Sequence, residues 1–368
     1  MPDLIQRSIA IIRENQAASG AYIASPNFPT YRYCWFRDGS YIAYAMDCVG
    51  EHDSAWRFHD WAASVINARQ AVVLRAIDKT RSGQPLSSED ILHTRYTLDG
   101  QDELKQEWPN FQLDGFGTWL WAMQAHLRLA GSASPPAGWL RAARLAADYL
   151  EALWRLPCFD CWEEFPGLVH TSTLAAIYGG LKAEGLLNSS DRIATLSKIQ
   201  AYLSRYAVVD GHFVKASGRQ DVDASLVSLA TPYRVVTPED ERMRRTIEWI
   251  ERDLVHGGVH RYASDTYYGG GEWLLLTAWL GWCYLEAGEP GRARELLAWI
   301  ESRAGQDGSM PEQVPEALID PPSYDAWLQR WGPVADPLLW SHAMYLILHH
   351  NLAIAGGIQA RKRTGLEK

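Results

Sequence analysis

Two stretches of the 368-residue chain set acidic side chains beside aromatic or apolar neighbours in loop-like sequence. They are Asp160-Cys161-Trp162-Glu163-Glu164 and Met310-Pro311-Glu312-Gln313. A pair of carboxyl groups can break a C–O bond between sugars. One protonates the departing oxygen, and the other activates water or attacks carbon. Successive side chains of an extended loop point apart, so only one of Glu163 and Glu164 can face such a bond. The residue types alone do not say which. A loop glutamate is usually a solvated surface residue, so neither stretch is specific by itself.

The 17 Trp and 17 Tyr are an unusual endowment. Core packing accounts for most of them; those in polar loops could stack on the C–H faces of sugar rings. Other patterns carry less. Cys158-Phe-Asp-Cys161 has redox spacing but no second cysteine pair to complete a zinc site. His256-Gly-Gly-Val-His260 has the spacing of helical zinc ligands, yet its two glycines argue for a turn. Asp221-Val-Asp223 is too short for a calcium loop, and Asp223 reads as a helix cap. Gly269-Gly-Gly271 lacks the ending of a phosphate loop and reads as a place of close backbone approach. No metal or cofactor is expected.

The elements that must position these residues are helical. Segments 3–16, 51–72, 137–155, 191–206, 238–252 and 289–304 carry a polar stripe at helical spacing, as with Arg141, Arg144, Asp148, Glu151 and Arg155. A second, less polar set covers about 39–48, 115–130, 169–183, 223–230, 272–286 and 340–355, as expected of helices buried on both faces. The sets alternate as about six hairpins, the pattern of an all-α toroid, an (α/α)6 barrel. Strand signals are few, Val208–Val214 being the best short hairpin. A prior of roughly 150 residues per domain would suggest more than one unit. No Pro/Ser-rich linker divides the alternation, so residues 1–368 read as one domain. Loops that precede inner helices of such a barrel emerge at one end. Tyr31–Asp38, Trp108–Asp114, Asp160–Glu164, Asp221–Asp223, Arg261–Trp273 and Trp331–Trp340 should therefore line one pocket.

A net charge of −9 and the lack of a basic cluster beyond the tail Arg361-Lys362-Arg363, read as a frayed and solvated end, exclude a nucleic-acid partner. No run of 18 apolar residues exists to span a membrane, and the N-terminus reads as a helix rather than a signal peptide. Five cysteines, an odd number, do not suggest a disulfide framework, and a cytoplasmic location follows. The sequence leaves the oligomeric state open.

The loops also resemble, in order, those of glycoside hydrolase family 15, the glucoamylase, glucodextranase and trehalase family. The matching segments are Tyr31-Arg-Tyr-Cys-Trp-Phe-Arg-Asp38, Trp108-Pro-Asn-Phe-Gln-Leu-Asp-Gly115, Asp160–Glu164, Arg261–Trp273, Gly308–Gln313 and Trp340-Ser-His-Ala343. The resemblance implies that Glu163 is the general acid and Glu312 the general base. It also implies that Arg37 and Asp38 clamp the terminal glucose, that Tyr31 sits beside the developing cation, and that Glu164 binds the adjacent sugar. Trp108, Arg261, Asp265 and Trp273 then make further sugar contacts, Asp160 is a supporting carboxylate near the acid, and Trp35, Gln112 and Trp162 complete the substrate-binding set. Anionic Glu312 and uncharged Glu163 must coexist near pH ~6, with burial and the carboxylates Asp160 and Glu164 holding the acid's proton. The family inverts configuration, so roughly 6.5–9.5 Å should separate the two carboxyls.

The resemblance implies an exo-acting hydrolase that releases β-glucose from short α-gluco-oligosaccharides. The first family loop starts only about 30 residues in, leaving no room ahead for a β-sandwich domain. Small bacterial members of this kind favour α-1,6-linked isomaltose. A trehalase and a non-catalytic sugar-binding barrel are the alternatives. A sugar epimerase on a similar toroid would need a histidine pair, and only His260 and His342 fall near the pocket loops.

Overall fold

The computed structural model describes residues 3–102, 107–131, 135–189 and 191–363. Helices follow one another in pairs. α1 (Leu4–Glu14) starts on Asp3, whose carboxylate accepts the N–H groups of Ile5 and Gln6, and leads to α2 (Phe36–Cys48). α3 (His52–Ala68) and α4 (Gln70–Arg81) lead to α5 (Asp114–Leu129). α6 (Ala137–Leu153) leads to α7 (Thr171–Asn188), and α8 (Ile193–Tyr206) to a 3₁₀ segment, Ala224–Leu229. α9 (Glu241–Leu254) leads to α10 (Leu274–Glu286), and α11 (Pro290–Arg303) runs through α12 (Pro321–Trp331) to α13 (Leu339–Arg363).

Burial separates the two sets. Every residue of α2 is buried, and α10 is buried from Leu274 to Tyr284. An outer helix such as α9 buries one stripe, Met243, Thr246, Ile247, Ile250 and Leu254. The inner elements touch in the order α2, α5, α7, the 3₁₀ segment, α10 and α13, and α13 returns to α2, closing the ring. Glycine permits the tightest step. A Cβ on Gly117 would lie 2.3 Å from the Ala176 carbonyl oxygen, and one on Gly180 2.5 Å from that of Gly117. Along the ring axis the Tyr233 hydroxyl links those of Tyr41 (2.9 Å) and Thr118 (2.7 Å), and Tyr41 stacks on Trp340.

Three two-residue ladders stiffen the loops. β1 (Cys34–Trp35) pairs with β2 (Arg95–Tyr96), β3 (Val208–Val209) with β4 (His212–Phe213), and β5 (Glu272–Trp273) with β6 (Gln313–Val314), all antiparallel. β1 and β5 each run directly into an inner helix, and β6 starts one residue after Glu312.

Four sequence expectations change. The helix expected over 51–72 breaks at Arg69 (φ −107°, ψ 22°), whose guanidinium is drawn to Asp102 and to the carbonyls of Val65 and Gly100. The fourth inner element is 3₁₀ rather than α. α2 starts at Phe36 rather than at residue 39, which puts Arg37 and Asp38 in its first turn. The backbone of Arg361–Arg363, expected to fray, continues α13. No helix among the described residues is long and apolar enough to cross a membrane.

Candidate active site

Five of the six loops expected before the inner elements surround a cavity, and Asp221–Asp223 does not line it. The cavity measures about 660 Å³, within the ~300–1,000 Å³ of small-ligand sites. Its lining includes eleven of the residues singled out from sequence: Tyr31, Trp35, Arg37, Asp38, Trp108, Trp162, Glu163, Glu164, Arg261, Trp273 and Glu312. Gln112, Asp160 and Asp265 do not line it. They are buried behind the wall and hold residues that do.

Glu163 sits in a tight turn. Its N–H donates to the Asp160 carbonyl at 3.0 Å, and its φ of 68° lies in the left-handed region, as does that of Phe165 at 51°. That conformation costs a non-glycine residue on the order of 1–2 kcal/mol. Asp160 holds the turn, its Oδ1 accepting the N–H groups of Trp162 (3.0 Å) and Glu164 (2.9 Å). Two donors converge on Glu163 Oε1: Trp35 Nε1 at 2.7 Å and Gln112 Nε2 at 3.0 Å. Gln112 is fixed in turn, because its Oε1 accepts from Arg37 and Thr94, both at 3.0 Å.

Glu312 is held differently. Its N–H donates to the Ala335 carbonyl at 2.9 Å. The Tyr31 hydroxyl donates to Oε1 (3.0 Å) and the Tyr267 hydroxyl to Oε2 (3.1 Å), and the two phenols meet at 3.0 Å. Burial pushes the Glu312 carboxyl up to about 7, against the pull of both phenols and of Arg261.

Around these groups lie polar atoms suited to hydroxyls. Arg37 Nη1 is 3.1 Å from Asp114 and its Nε 3.5 Å from Asp38. Burial pushes Asp38 up to about 6 although Arg37 pulls it down. Asp38 Oδ2 and the indole nitrogens of Trp108, Trp273 and Trp340 are buried without a hydrogen-bond partner among the described residues. Arg261 bridges Asp265 and, at 3.3 Å, Glu164, which the Tyr262 hydroxyl also engages at 2.5 Å. The glycines behave as expected: a Cβ on Gly271 would lie 2.3 Å from the Val314 carbonyl oxygen, where β5 meets β6.

Sequence reasoning passed over several residues here. Tyr267 lies inside a quoted segment but was given no role, although its phenol bonds Glu312. Trp327 and Arg330 of α12 line the cavity, as do Phe28 and Glu107, whereas Trp331 and Trp340 bound a loop that was expected to line it and does. Asp223 caps the 3₁₀ segment, as expected, and also accepts the Trp162 indole N–H at 3.0 Å. Neither His260 nor His342 lines the cavity; His260 bonds the Gly270 carbonyl, and His342 bonds Ser8 and the Met310 N–H. A further buried group, Asp47, His59 and His126, joins α2, α3 and α5 at the end of α2 remote from Asp38, with Asp47 engaged by His126 and His52.

Known proteins resemble this chain in sequence and fold. The family model of glycosyl hydrolases family 15 matches residues 2–308. An isomaltose glucohydrolase from Kribbella flavida is 44% identical over 364 residues, 96% of this chain and 93% of that protein. A trehalase from Sulfolobus acidocaldarius is 26% identical and aligns with 75% of this chain and 50% of its own length. Among solved structures a wild-type glycosidase superposes with a TM-score of 0.91 at 42% identity, over 95% of this chain and 96% of that one. A bacterial glucoamylase complexed with acarbose shares the (α/α)6 fold at 20% identity, with a TM-score of 0.73 over 95% of this chain and 55% of its own. The family model over most of the chain and the 44% identical relative show that the chain belongs to glycosyl hydrolases family 15 and is a glycoside hydrolase.

Proposed function

We propose that the chain is an exo-acting, inverting α-glucoside hydrolase that releases β-glucose from the non-reducing end of short α-gluco-oligosaccharides, isomaltose first among them. One catalytic domain, residues 1–368, would suffice. The observation that carries this reading is the pair Glu163 and Glu312, which line one cavity with different donor sets.

The donors suggest how each carboxyl works. Trp35 and Gln112 both donate to Oε1 of Glu163, so the proton of a Glu163 carboxylic acid sits on Oε2. From there it passes to the glycosidic oxygen as the C1–O bond breaks. Glu312, with a phenol on each oxygen, takes a proton from the water that attacks C1 from the other face. It does so once anionic, which its raised value of about 7 puts near pH 7 rather than the pH ~6 expected from sequence. Asp38 and Arg37 accept and donate to hydroxyls of the terminal ring, and Tyr31 lies against the cation that develops. Gln112, Asp160 and Asp265 then act through the residues they hold. Trp327, Arg330 and Trp331 of α12 wall the cavity and favour a short second sugar over a long chain.

The choice of isomaltose over trehalose rests on the relatives, because the isomaltose glucohydrolase is far more similar than the trehalase. A cytoplasmic site of action fits the five free, buried thiols. A disaccharide panel with early proton NMR tests the whole reading. Isomaltose should be cleaved best and β-glucose should appear first. Initial α-glucose would overturn the inverting mechanism, and a preference for trehalose or maltose the linkage.

A further inference from the structure

Lys215 is buried, 3% exposed at its side chain, under the turn that carries Glu163. Its backbone is fixed on both sides: its N–H donates to the Asp221 carbonyl (2.8 Å) and its carbonyl accepts from Thr171 (3.0 Å). The ammonium lies 2.9 Å from Asp223 Oδ2 and 3.4 Å from Asp160 Oδ2. It also sits 3.5 Å from the centroid of the Tyr262 ring and 4.8 Å from that of Phe165. All four neighbours bear on the acid loop. Asp160 binds the N–H groups of Trp162 and Glu164, Asp223 binds the Trp162 indole, Tyr262 bonds the Glu164 carboxylate, and Phe165 ends the left-handed turn.

We infer that Lys215 is a positioning residue for the general acid: its ammonium ties Asp160 and Asp223 together in a dry setting, and they in turn hold Trp162–Phe165 in the strained turn that aims Glu163. Burial raises the Asp160 carboxyl, and the Lys215 charge is the largest force opposing that rise. Burial also works against the charge on Lys215, but Asp223 and Asp160 outweigh it and the net shift is upward, so the ammonium persists. Without it, two almost fully buried carboxylates face each other uncompensated. Asp160, whose carboxyl burial already raises, then takes up a proton, its grip on the N–H groups of Trp162 and Glu164 weakens, and Glu163 relaxes out of the left-handed region. Lys215 does not line the cavity and touches no substrate.

This inference rests on Glu163 being the acid, and leaving-group dependence separates the two claims. The glucose leaving group of isomaltose would depart as an alkoxide and needs a proton, whereas the fluoride ion of α-glucosyl fluoride departs as a weak base and needs little help. The ratio of kcat/KM on isomaltose to that on the fluoride is independent of the fraction of enzyme folded. For Lys215→Met the ratio should fall about 10-fold, part of the ~10²-fold or more expected for complete loss of the acid. Lys215→Arg, which keeps the charge, should recover most of it. Asp223→Asn, which keeps the volume and one acceptor, should lower the ratio less and serves if Lys215→Met fails to fold. An unchanged ratio in Lys215→Met, or in Asp223→Asn where the former is insoluble, overturns the positioning role while Glu163→Gln still shows its own drop. If Glu163→Gln shows no drop either, the acid assignment itself has failed.

Discussion

The two walls of the cavity hold their carboxyls by opposite means. Glu163 sits on a strained turn, and both of its donors crowd one oxygen. Glu312 sits at the start of a short ladder with one phenol on each oxygen. Donors on a single oxygen direct a proton to the other, which suits a group that must give one up. Donors spread over both oxygens suit a group that must stay anionic in a buried place. The supports differ accordingly. Behind Glu163 lies a salt-bridged core of Lys215, Asp160 and Asp223, and behind Glu312 lie β5 and β6. In the proposed mechanism, identical side-chain chemistry would thus take two tasks from its surroundings.

The contrast breaks most visibly if either carboxyl is neutralised. Glu312→Gln should lower kcat on isomaltose by at least ~10²-fold and should lower it on α-glucosyl fluoride too, since water must be activated in both. Glu163→Gln should match it on isomaltose and largely spare the fluoride. Equal behaviour of the two variants on the fluoride would abolish the distinction. Stopped assays on both substrates give all four numbers.

The base wall also has a stability signature. In the native chain Glu312 keeps its proton up to about pH 7, whereas an unfolded glutamate loses it near its ordinary value of 4.5. Between those values the native state binds more protons, so this residue makes wild-type stability decline as pH climbs from 4.5 to 7. Glu312→Gln removes that decline. It should gain about 1–3 kcal/mol over wild type at pH 8 and nothing at pH 4, measured by urea unfolding. A loss at pH 8 would mean that the phenol contacts outweigh the buried charge.

Tyr267→Phe sharpens the comparison further. It removes one donor from the anion, so Glu312 should rise above about 7. The acid limb of the kcat/KM profile should then move up by about 1 pH unit, the worth of one hydrogen bond to a charged group. A limb that stays put or moves down would show that the phenol does not serve the base. The smallest effect belongs to α12, which lines the cavity but holds neither carboxyl. Trp331→Ala should raise KM for isomaltose by at most about five-fold, roughly 1 kcal/mol, with kcat unchanged. A fall in kcat would tie α12 to the chemistry.

Periodicity made the outer helices legible because each buries a single stripe, as α9 and α6 do. The inner set was legible as apolar runs, but its exact form was not. Ala224–Leu229 packs as 3₁₀ between α7 and α10, and apolar composition alone does not tell the two helical forms apart. The segment 51–72 ran α3 into the first turn of α4 and left the rest of α4 unread, because Arg69 breaks the helix through contacts with residues 100 and 102, far along the chain. α12 buries none of its residues and so shows no stripe to read. At the site, ordered loop motifs brought out most of the cavity lining. Tyr267 and Lys215 were missed for another reason. A tyrosine beside another tyrosine and a lone lysine after a short strand carry no local signal, and their roles come from partners such as Tyr31 and Asp160, which are distant in sequence.

The ring has a consequence for biosynthesis. α13 meets α2, Leu339 bonds the Ala24 carbonyl, and Trp340 supplies both a cavity wall and the stacking partner of Tyr41. Contacts between residues some three hundred positions apart must therefore form before the toroid shuts, an entropically slow kind of closure. A nascent chain on the ribosome can assemble the early hairpins as they emerge, yet its apolar inner faces stay open along one seam until α13 arrives. During that interval the polypeptide exposes the surfaces that chaperones bind, and it has no complete pocket with which to grip a sugar. Ligand can stabilise only the finished ring, so sugar added to a translation arrested before residue 339 should offer no protection from proteolysis, whereas sugar added after release should.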